Sequence, residues 1–500
     1  MTMIDELLER ADSSSVALTV AGTDLSLTYE QLGNHVDALA SRLREFGLGK
    51  GDRIATALPN GLDTVLAFLA AASVATAAPL NPAYKEEEFR FYLEDTGARA
   101  LIVPPGGAPE ARSAASESTL ILEIECNGSR ATLTPVKQPA SQADSNSTSE
   151  YNQDVALMLH TSGTTSRPKR VPLSQPNLMA SVRNIAAWYQ LGKEDVSLCV
   201  MPLFHVHGLM ASTLSTFLTG GTVVVIPRFN ALSFWSTVRE HKASWYSAVP
   251  TIHQMLLARA KQGARPSGAE HLRFIRSCSA ALAPRMMAEM EERFGAPVLE
   301  AYGMTEASHQ MASNPLPPNE RKAGSVGVGG SVQITILDPQ GNHVERESAG
   351  EISIKGPNVF GGYEGNPEAN ASSFSNGWFR TGDQGYLDQD GYVVLTGRIK
   401  ELINRGGEKI SPREIDEVLL THAAVAEAVC FGLPDRVYGE EVAAAVVLSG
   451  PTAEADLIKH CKLALSDFKC PKKVFIVDTI PRTATGKIQR RHVASLFLDQ

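Results

Sequence analysis

Residues 160–169 read His160-Thr161-Ser162-Gly163-Thr164-Thr165-Ser166-Arg167-Pro168-Lys169 and directly follow the apolar run 155–159. The run is typical of a buried strand, so the sequence predicts a hydroxyl-rich loop at a strand end. Gly163 permits a close backbone approach, the Ser and Thr hydroxyls are donors, and Lys169 adds a charge that can follow phosphates. These features predict a polyphosphate site. The spacing is not that of a P-loop, however, and an ordinary surface turn can have the same composition.

The composition limits the classes of protein to which the chain can belong. Its 500 residues are 43% hydrophobic and 20% charged, which predicts a soluble globular chain of two or more domains. A net charge of -9 argues against a nucleic-acid partner. The six cysteines lack CxxC spacing, so we expect reduced structural thiols and no zinc site.

The two ends of the chain and its longest apolar run bear on its location. Asp5 and Glu6 stand where a secretory signal would be basic, so no export is predicted. The apolar run 65–80 is shorter than the ~20 residues of a membrane span and predicts a buried helix instead. Residues 498–500 do not form the Ser-Lys-Leu peroxisomal address. We therefore expect a cytoplasmic protein without a membrane partner, present as a monomer or weak homo-oligomer.

Helical and strand-like segments alternate along most of the chain. Thr28 and Gln31 have the spacing of a capping box for a helix that Gly47 would end, and 54–58 is strand-like. Similar alternation continues through residue 299, which predicts a largely parallel sheet covered on both faces. Short runs in 350–396 predict small antiparallel strands, and a domain break is placed at 398–400. Beyond it, Ser411-Pro412 predicts a capped helix start within an α+β tail.

Further motifs follow the loop in a fixed order. They are Pro202-Leu203-Phe204-His205, Ser279-Ala280-Ala281, Tyr302-Gly303-Met304-Thr305-Glu306, Thr381-Gly382-Asp383, Gly397-Arg398-Ile399-Lys400 and Thr485-Gly486-Lys487. Together with the loop they resemble the adenylate-forming superfamily of acyl-CoA synthetases, 4-coumarate ligases, luciferases and peptide-synthetase adenylation domains. The resemblance implies a two-step reaction. A carboxylate attacks the α-phosphate of ATP to give an acyl-adenylate and pyrophosphate, and the thiol of coenzyme A then displaces AMP.

The resemblance also implies an architecture. We expect an α/β fold in which residues 1–399 form a large N-terminal adenylation domain, with mostly parallel sheets flanked by helices plus a small distorted barrel. Residues 400–500 are expected to form a small mobile α+β lid. Lys400 corresponds to the hinge of the superfamily. Rotation at the hinge is expected to move Lys487 out of the active site after adenylation and to bring in Gly406, Gly407 and Glu408, which shape the path of the thiol.

The same resemblance assigns the nucleotide site. Mg²⁺ is usually held by one or two carboxylates together with substrate phosphates, so Glu306 is expected to bind it, with Thr161. Tyr302 would stack on adenine, Thr305 would reach the α-phosphate, and Asp383 would accept from the ribose hydroxyls. Other expected cofactor-binding residues are Thr161, Ser162, Gly163, Thr164, Thr165, Lys169, Ser279, Ala280, Ala281, Glu300, Ala301, Gly303 and Arg398.

Lys487 and His205 complete the expected catalytic group with Thr305 and Glu306. A lysine suits the bridge between the attacking carboxylate and the α-phosphate, where negative charge accumulates. Taken alone, Lys487 would more often be a solvated surface lysine. The loop departs from the superfamily pattern at two glycines, replaced here by Ser166 and Arg170. Arg170 adds bulk and charge beside Lys169 without overturning the implied chemistry.

Polar residues occupy the places where most relatives have an apolar acid pocket. They are His205, His207, His253, Ser277, Ser279 and His309. Such a lining predicts a small polar acid, in particular a dicarboxylate whose spare carboxylate needs donors. The strings 272–280, 300–309 and 398–412 are similar to the oxalate:CoA ligases of plants and fungi, which implies oxalate as the acid.

Three other functions remain open at this point. One is a ligase for another small or medium acid, such as malonate or a 4-coumarate-like substrate. A second is a stand-alone adenylation domain that loads a carrier protein, disfavoured because no carrier sequence follows. The third is a non-enzymatic nucleotide or RNA binder, against which the acidic balance and Lys487 argue.

Overall fold

The computed structural model describes residues 3–138, 154–161, 168–260, 264–483 and 488–498. The first range contributes helices and strands to two sheets. Its elements are α1 (Met3–Leu8), β1 (Val16–Val20), β2 (Ser26–Thr28), α2 (Tyr29–Glu45), β3 (Arg53–Thr56), α3 (Leu62–Val74), β4 (Thr76–Pro79), α4 (Glu86–Thr96), β5 (Ala100–Val103), α5 (Pro109–Ala114), β6 (Leu120–Cys126) and β7 (Ala131–Lys137).

The middle of the chain continues the same alternation. Its elements are β8 (Val155–Thr161), β9 (Lys169–Ser174), α6 (Gln175–Trp188), β10 (Val196–Cys199), a π-helical segment (His207–Leu214), α7 (Ser215–Leu218), β11 (Thr222–Val225), α8 (Phe234–His241), β12 (Trp245–Ala248), α9 (Pro250–Leu257), β13 (Phe274–Ser277), α10 (Pro284–Phe294), β14 (Val298–Met304) and β15 (His309–Ser313).

The last part of the chain forms two smaller sheets. Its elements are β16 (Gln333–Leu337), β17 (Gly350–Lys355), α11 (Pro367–Ser373), β18 (Phe374–Ser375), β19 (Trp378–Leu387), β20 (Val393–Arg398), β21 (Ile403–Arg405), β22 (Glu408–Ile410), α12 (Pro412–Leu420), β23 (Val425–Asp435), β24 (Gly439–Leu448), α13 (Glu454–Ala464), β25 (Lys473–Ile476) and α14 (Arg490–Ser495).

The two large sheets are mostly parallel. One has the order β15-β14-β13-β12-β10-β11-β1-β2, and the other β7-β6-β5-β3-β4-β8-β9, with antiparallel pairs only at their outer ends. All four residues of β5 are buried, as expected for a strand covered by helices on both faces. The third sheet, β16 to β20, is antiparallel throughout. The predicted α/β fold with a small antiparallel unit is therefore confirmed.

The fourth sheet lies in the C-terminal part of the chain and has its own apolar core. Strands β21 to β25 form it, and β25 alone pairs in parallel. Two apolar clusters, made of residues from Ile403 to Phe497, fill its two faces. Because all of their members follow residue 402, this part of the chain supplies a core of its own.

Helix starts test the local predictions. The capping box at α2 is present, since the Thr28 side chain accepts from Gln31 N and the Gln31 side chain accepts from Thr28 N at 2.9 Å. Helix α12 begins at Pro412 as predicted, but Ser411 makes no cap. Its hydroxyl instead donates to the carbonyl oxygen of Thr396 on β20. Among the described residues, no helix has both the length and the apolar content to cross a bilayer.

Candidate active site

Strand ends bring the predicted motifs together. Strands β10, β12, β13 and β14 are parallel neighbours, so their carboxyl ends meet at one edge of the sheet. The His205 motif follows β10, the Ser279 motif follows β13, and the Tyr302 motif forms the end of β14. This edge of the sheet is the candidate active site.

The phosphate loop begins and ends on a paired rung of β8 and β9. Thr161 ends β8 opposite Lys169, the first residue of β9, and His160 is opposite Arg170. The Thr161 hydroxyl is buried and has no hydrogen-bond partner among the described residues. An orphaned hydroxyl at this point fits a ligand of phosphate or magnesium. The predicted ligands Ser162, Gly163, Thr164 and Thr165 lie outside the described residues, as do Ser166 and Lys487.

Lys169 and Glu306 share one aromatic neighbour, Tyr363. The Lys169 ammonium lies 3.9 Å from the centroid of the Tyr363 ring. The Tyr363 hydroxyl donates to Oε1 of Glu306 at 2.7 Å, and Glu306 is buried. Burial lowers the pKa of Lys169, while burial and the Glu306 carboxylate raise the pKa of Tyr363. Tyr363 has no role in the sequence-based prediction, because nothing in the run 361–366 marks its side chain as a partner of Glu306.

The residues expected at the ribose form a compact charged group. The Tyr302 hydroxyl donates to Oδ2 of Asp383, and Arg398 Nε lies 2.8 Å from Oδ1 of the same carboxylate. Burial, together with the Asp383 carboxylate, raises the pKa of Tyr302. Both carboxylate oxygens are thus already engaged, so a ribose would exchange with or add to these contacts. Thr305 is buried beside Glu306 at the start of a short 3-10 turn.

The Ser279 motif forms a tight turn above β14. Ser279 has φ 72°, and Ala280 and Ala281 are exposed, which suits residues lining an open cleft. Glu300 is buried beneath this turn and accepts from the backbone N of Leu282 at 2.9 Å. Burial raises the pKa of Glu300 to about 7. The structure therefore places Glu300 as a support of the turn.

Two further predicted residues of β14 lie beneath the cleft. Ala301 is buried. Gly303 passes so close to the carbonyl of His309 that a Cβ would collide with it. Close backbone approach of this kind requires glycine.

Two histidines form the wall of the candidate acid pocket. His207 and His309 are buried and stack with ring centroids 5.0 Å apart. Nδ1 of His207 lies 3.1 Å from Ser279 Oγ, and Nε2 lies 2.6 Å from Ser247 Oγ. His205 is half-buried, and its Nδ1 accepts from the backbone N of His207 at 3.2 Å. His207 begins the π-helical segment, a conformation frequent at functional sites.

Behind His207 lies a fully buried arginine, Arg276, which the sequence prediction missed. Its Nη1 donates to Ser247 Oγ at 2.9 Å, its Nε to the Tyr189 hydroxyl at 2.8 Å, and its Nη2 to Gln310 Oε1 at 3.1 Å. All of these acceptors are neutral. Within the described ranges no carboxylate lies at salt-bridge distance from Arg276, although charges this deeply buried are normally paired.

Ser247 links the buried cation to the pocket. Strand pairing places Ser247 directly beside Arg276 on β12 and β13. The guanidinium can only donate, so Ser247 Oγ accepts from it and donates its own hydroxyl hydrogen to Nε2 of His207. Nδ1 of His207 is then protonated and donates toward Ser279 Oγ. Arg276 thereby acts on the pocket through two hydrogen bonds.

Two predicted acid-binding residues, His253 and Ser277, lie on the other side of the sheet from Ser247 and Arg276, as the alternation of side chains along the strands indicates. His253 is fully buried against Tyr246, with ring centroids 5.6 Å apart and Nδ1 3.4 Å from the Tyr246 hydroxyl. Tyr246 faces the side of the sheet opposite to Ser247. Burial lowers the pKa of His253 to about 3, so it is a neutral core histidine. Ser277 likewise faces away from its neighbour Arg276, and its hydroxyl is buried without a described partner.

The predicted hinge residue Lys400 lies between the third and fourth sheets, and the predicted thiol-path residues lie at the β21–β22 turn of the fourth sheet. Lys400 is exposed in a one-turn 3-10 helix, and its carbonyl oxygen accepts from Arg491 Nη2 at 2.8 Å. Gly406 and Gly407, with φ 59° and 97°, turn β21 into β22, where Glu408 is exposed. Positive φ at both positions explains the two glycines.

Comparisons with known proteins cover the whole chain. The family model of the AMP-binding enzymes matches residues 8–364, and that of the AMP-binding enzyme C-terminal domain matches residues 414–487. The chain is 50% identical to the probable CoA ligase CCL9 of Humulus lupulus, covering 97% of this chain and 94% of that protein. It is 49% identical to an oxalate–CoA ligase of Arabidopsis thaliana, covering 97% and 96%. It is 44% identical to an oxalate–CoA ligase of Saccharomyces cerevisiae, covering 97% and 95%.

A solved structure gives the same result at the level of the fold. The crystal structure of ATP-bound MatB from Rhodopseudomonas palustris is 29% identical in sequence and aligns with a TM-score of 0.88. The alignment covers 100% of this chain and 99% of that chain. Because family models match both residues 8–364 and residues 414–487, this chain belongs to the AMP-binding enzymes, the adenylate-forming superfamily whose motifs it carries.

Proposed function

We propose that this protein is an AMP-forming acid–CoA ligase whose acid is oxalate. It joins oxalate to the α-phosphate of ATP, releasing pyrophosphate, and transfers the oxalyl group from AMP to the thiol of coenzyme A. The full-length similarity to two oxalate–CoA ligases supports the reaction. The observation that carries the choice of acid is the buried Arg276 with its neutral partners behind His207.

The electrostatic argument concerns the carboxylate that does not react. Burying that carboxylate unpaired would cost several kcal/mol, and a buried guanidinium without a counter-ion carries a comparable cost. Arg276 lies behind His207, so the two charges attract each other across Ser247 and His207 and not in direct contact. At ~8 Å and an effective dielectric of ~20, such an attraction contributes about 2 kcal/mol before desolvation is subtracted. An acid with one carboxylate, such as acetate, leaves Arg276 uncompensated during adenylation.

Different residues of the nucleotide site bind different parts of ATP in the first half-reaction. Asp383 and Tyr302 hold the ribose and adenine, while Thr161 and Lys169 hold the phosphates. Thr161 and Glu306 would bind Mg²⁺, whose charge offsets that of the phosphate oxygens during adenylation. The orphaned Thr161 hydroxyl and the buried Glu306 carboxylate fit that role.

The attack and the second half-reaction require further groups. His205 and Thr305 flank the reacting carboxylate and α-phosphate, and Lys487 stabilises the charge that develops between them. We assign residues 1–399 to the adenylation domain and 400–500 to a mobile lid. Rotation at Lys400 then brings Gly406 to Glu408 to the thiol.

The cysteines support a reducing compartment such as the cytoplasm. All six cysteines are free thiols and are buried. In extracellular proteins, cysteines are commonly paired in disulfides. We propose a monomer or weak homo-oligomer, with ATP, coenzyme A and the acid as partners.

The test compares acids in variants of Arg276. Pyrophosphate exchange is measured with oxalate, malonate and acetate for the native protein, Arg276→Gln and Arg276→Lys. The glutamine removes the charge, so kcat/KM for oxalate should fall by about thirtyfold, the change expected for ~2 kcal/mol of lost attraction. Acetate should lose far less, and lysine should restore part of the preference for oxalate.

Arg273→Gln is the matched control on the same strand region. Arg273 pairs with Asp195 at 2.8 Å away from the pocket, so its loss should leave the ratio of oxalate to acetate unchanged. A native protein that activates malonate or acetate better than oxalate would refute the proposed acid. Exchange activity without any thioester formed from coenzyme A would favour carrier loading instead.

A further inference from the structure

The residue that replaces a superfamily glycine beside Lys169, Arg170, is part of an ion-pair group at the base of the phosphate loop. Arg170 Nε lies 3.1 Å from Glu364 Oε1, and its Nη1 lies 3.5 Å from Asp95 Oδ1. The same Nη1 donates to the carbonyl oxygen of Asp95, and the Arg170 carbonyl accepts from Glu364 N at 3.1 Å. Arg170 is three-quarters buried, so these contacts are partly shielded from water.

The residue opposite Arg170 on β8 binds the same carboxylate. His160 Nε2 lies 2.9 Å from Asp95 Oδ2, and its ring packs edge-on against Tyr92 at 4.9 Å. Because His160 and Arg170 are directly paired across β8 and β9, their side chains lie on the same face of the sheet. Asp95 therefore fastens both strands of the loop base at one point. We call His160, Arg170 and Asp95 the base clamp.

The base clamp rests on the end of helix α4. The carbonyl of Asp95 accepts from Arg170, and that of Thr96 accepts from Arg53 Nη1 at 2.7 Å. The final carbonyls of a helix lack intrahelical donors and favour cations. Arg53 also binds both oxygens of Glu364, at 2.7 and 2.6 Å. The clamp is thus joined to a buried arginine and a helix end, both of which resist displacement.

The next rung along the same strands carries the residues expected to meet ATP. Thr161 is paired with Lys169, and these two residues are the chain neighbours of His160 and Arg170. Because side chains alternate along a strand, those of Thr161 and Lys169 face the other side of the sheet. A slip of one residue in strand register would turn every side chain to the wrong face. Fixing His160 and Arg170 on one face therefore fixes Thr161 and Lys169 on the other.

We propose that Arg170 is a positioning residue for the β- and γ-phosphates of ATP. Through the base clamp it holds the β8–β9 register that presents Thr161 and Lys169 to the phosphates. A glycine at residue 170 would remove the cation that Asp95 and Glu364 share, and would leave Asp95 with His160 alone and Glu364 with Arg53 alone. The inference rests on ATP as the nucleotide of the proposed function, and it does not depend on which acid is used.

The test compares two nucleotides that differ only in those phosphates. Dissociation constants for ATP and AMP are measured by calorimetry with Mg²⁺ for the native protein, Arg170→Gly and Arg170→Lys. Arg170→Gly should weaken ATP about tenfold, the change expected for 1.4 kcal/mol of lost interaction, and leave AMP within about twofold. Arg170→Lys keeps the positive charge but loses the planar guanidinium that contacts two carboxylates at once. Its ATP affinity should therefore lie between those of the native protein and Arg170→Gly.

Arg99→Gly is the matched control. Arg99 binds Asp52 at 2.8 Å and the carbonyl of Gly47 at 3.0 Å beyond the end of α2, the same kind of contact on the same sheet. It should leave both nucleotide affinities unchanged even where the melting temperature falls as much as in Arg170→Gly. Equal weakening of ATP and AMP, an unchanged ATP affinity in Arg170→Gly, or an equal effect of Arg99→Gly would overturn the proposal. Oxalate is absent from this experiment, so a different acid would leave its outcome untouched.

Discussion

Tyr363 donates a hydrogen bond of 2.7 Å to Oε1 of Glu306, the carboxylate expected to bind magnesium. The hydroxyl fixes the direction of a carboxylate that must meet a metal and a triphosphate together. Partners that orient metal ligands commonly change metal affinity or activity by 10–100-fold when they are removed.

Tyr363→Phe should therefore raise the Mg²⁺ concentration for half-maximal pyrophosphate exchange by about tenfold. The ring under Lys169 is retained, so the change isolates the hydroxyl. Tyr392→Phe is a suitable control, because that hydroxyl donates to the backbone carbonyl of Glu320 at 2.7 Å and not to a carboxylate among the described residues. An unchanged Mg²⁺ dependence in Tyr363→Phe would show that Glu306 needs no such support.

Lys487→Ala should nearly abolish adenylation while sparing the conversion of supplied oxalyl-adenylate to the thioester. In the proposed mechanism Lys487 serves only the first half-reaction, and loss of a preorganised charge-stabilising donor typically costs ~10²–10³ in rate. The two half-reactions are measured separately, as pyrophosphate exchange and as thioester formation. Equal losses in both would contradict the role assigned to Lys487.

Lys400→Pro should have the opposite effect. Proline fixes φ at about −65° and hinders the rotation that the thioester step needs. Pyrophosphate exchange should survive while thioester formation falls. If overall turnover is unchanged, the hinge lies elsewhere.

His207→Ala and His309→Ala should raise the KM for oxalate strongly and the KM for ATP much less. His207 links Arg276 to the pocket through Ser247, and His309 packs against the His207 ring, so acetate and butyrate should lose far less activity than oxalate. His253→Ala provides the matched control, since this buried histidine lies on the opposite face of the sheet. It should lower stability and affect all acids in parallel. Parallel losses in His207→Ala would show that His207 supports the fold alone.

Glu300 predicts a pH dependence of stability. Its pKa is raised to about 7 in the folded protein, so the folded state binds its proton more tightly than the unfolded state does. The resulting stabilisation is complete below the ordinary glutamate pKa of 4.5, decreases as the pH rises, and is lost above the folded pKa. Its size is up to about 3 kcal/mol.

Glu300→Gln should remove that dependence. Melting temperatures of the native protein should fall between pH 5 and about 7.5, and those of the variant should fall less, because its amide does not titrate. Coincident slopes would show that Glu300 has an ordinary pKa in the folded state.

Local signals in the sequence predicted local features well. The Thr28 and Gln31 capping box is a contact within one helical turn, so spacing alone revealed it. Ser411 and Glu414 have the same spacing, yet Ser411 donates to β20, a distant partner that spacing cannot show. The motif order identified the superfamily because it records residues that serve one reaction.

Residues defined by pairing between distant strands were missed or misplaced. Arg276 depends on Ser247, Tyr189 and Gln310, which three other elements supply. His253 was grouped with His207 because both follow strand ends. The two histidines are separated by the sheet itself, and which face each residue takes depends on a register that the histidine pattern did not contain.

An anion bound in the proposed acid pocket would supply the negative charge that Arg276 lacks among the described residues, where its acceptors are all neutral. A ligand that binds only the native state stabilises it in proportion to the logarithm of its concentration. The enzyme without a bound anion should therefore unfold more readily than the enzyme with one. Its storage lifetime and its resistance to proteases should increase with the concentration of small anions. Buffer ions that fit the pocket would act as weak competitors of the substrate while preserving the protein.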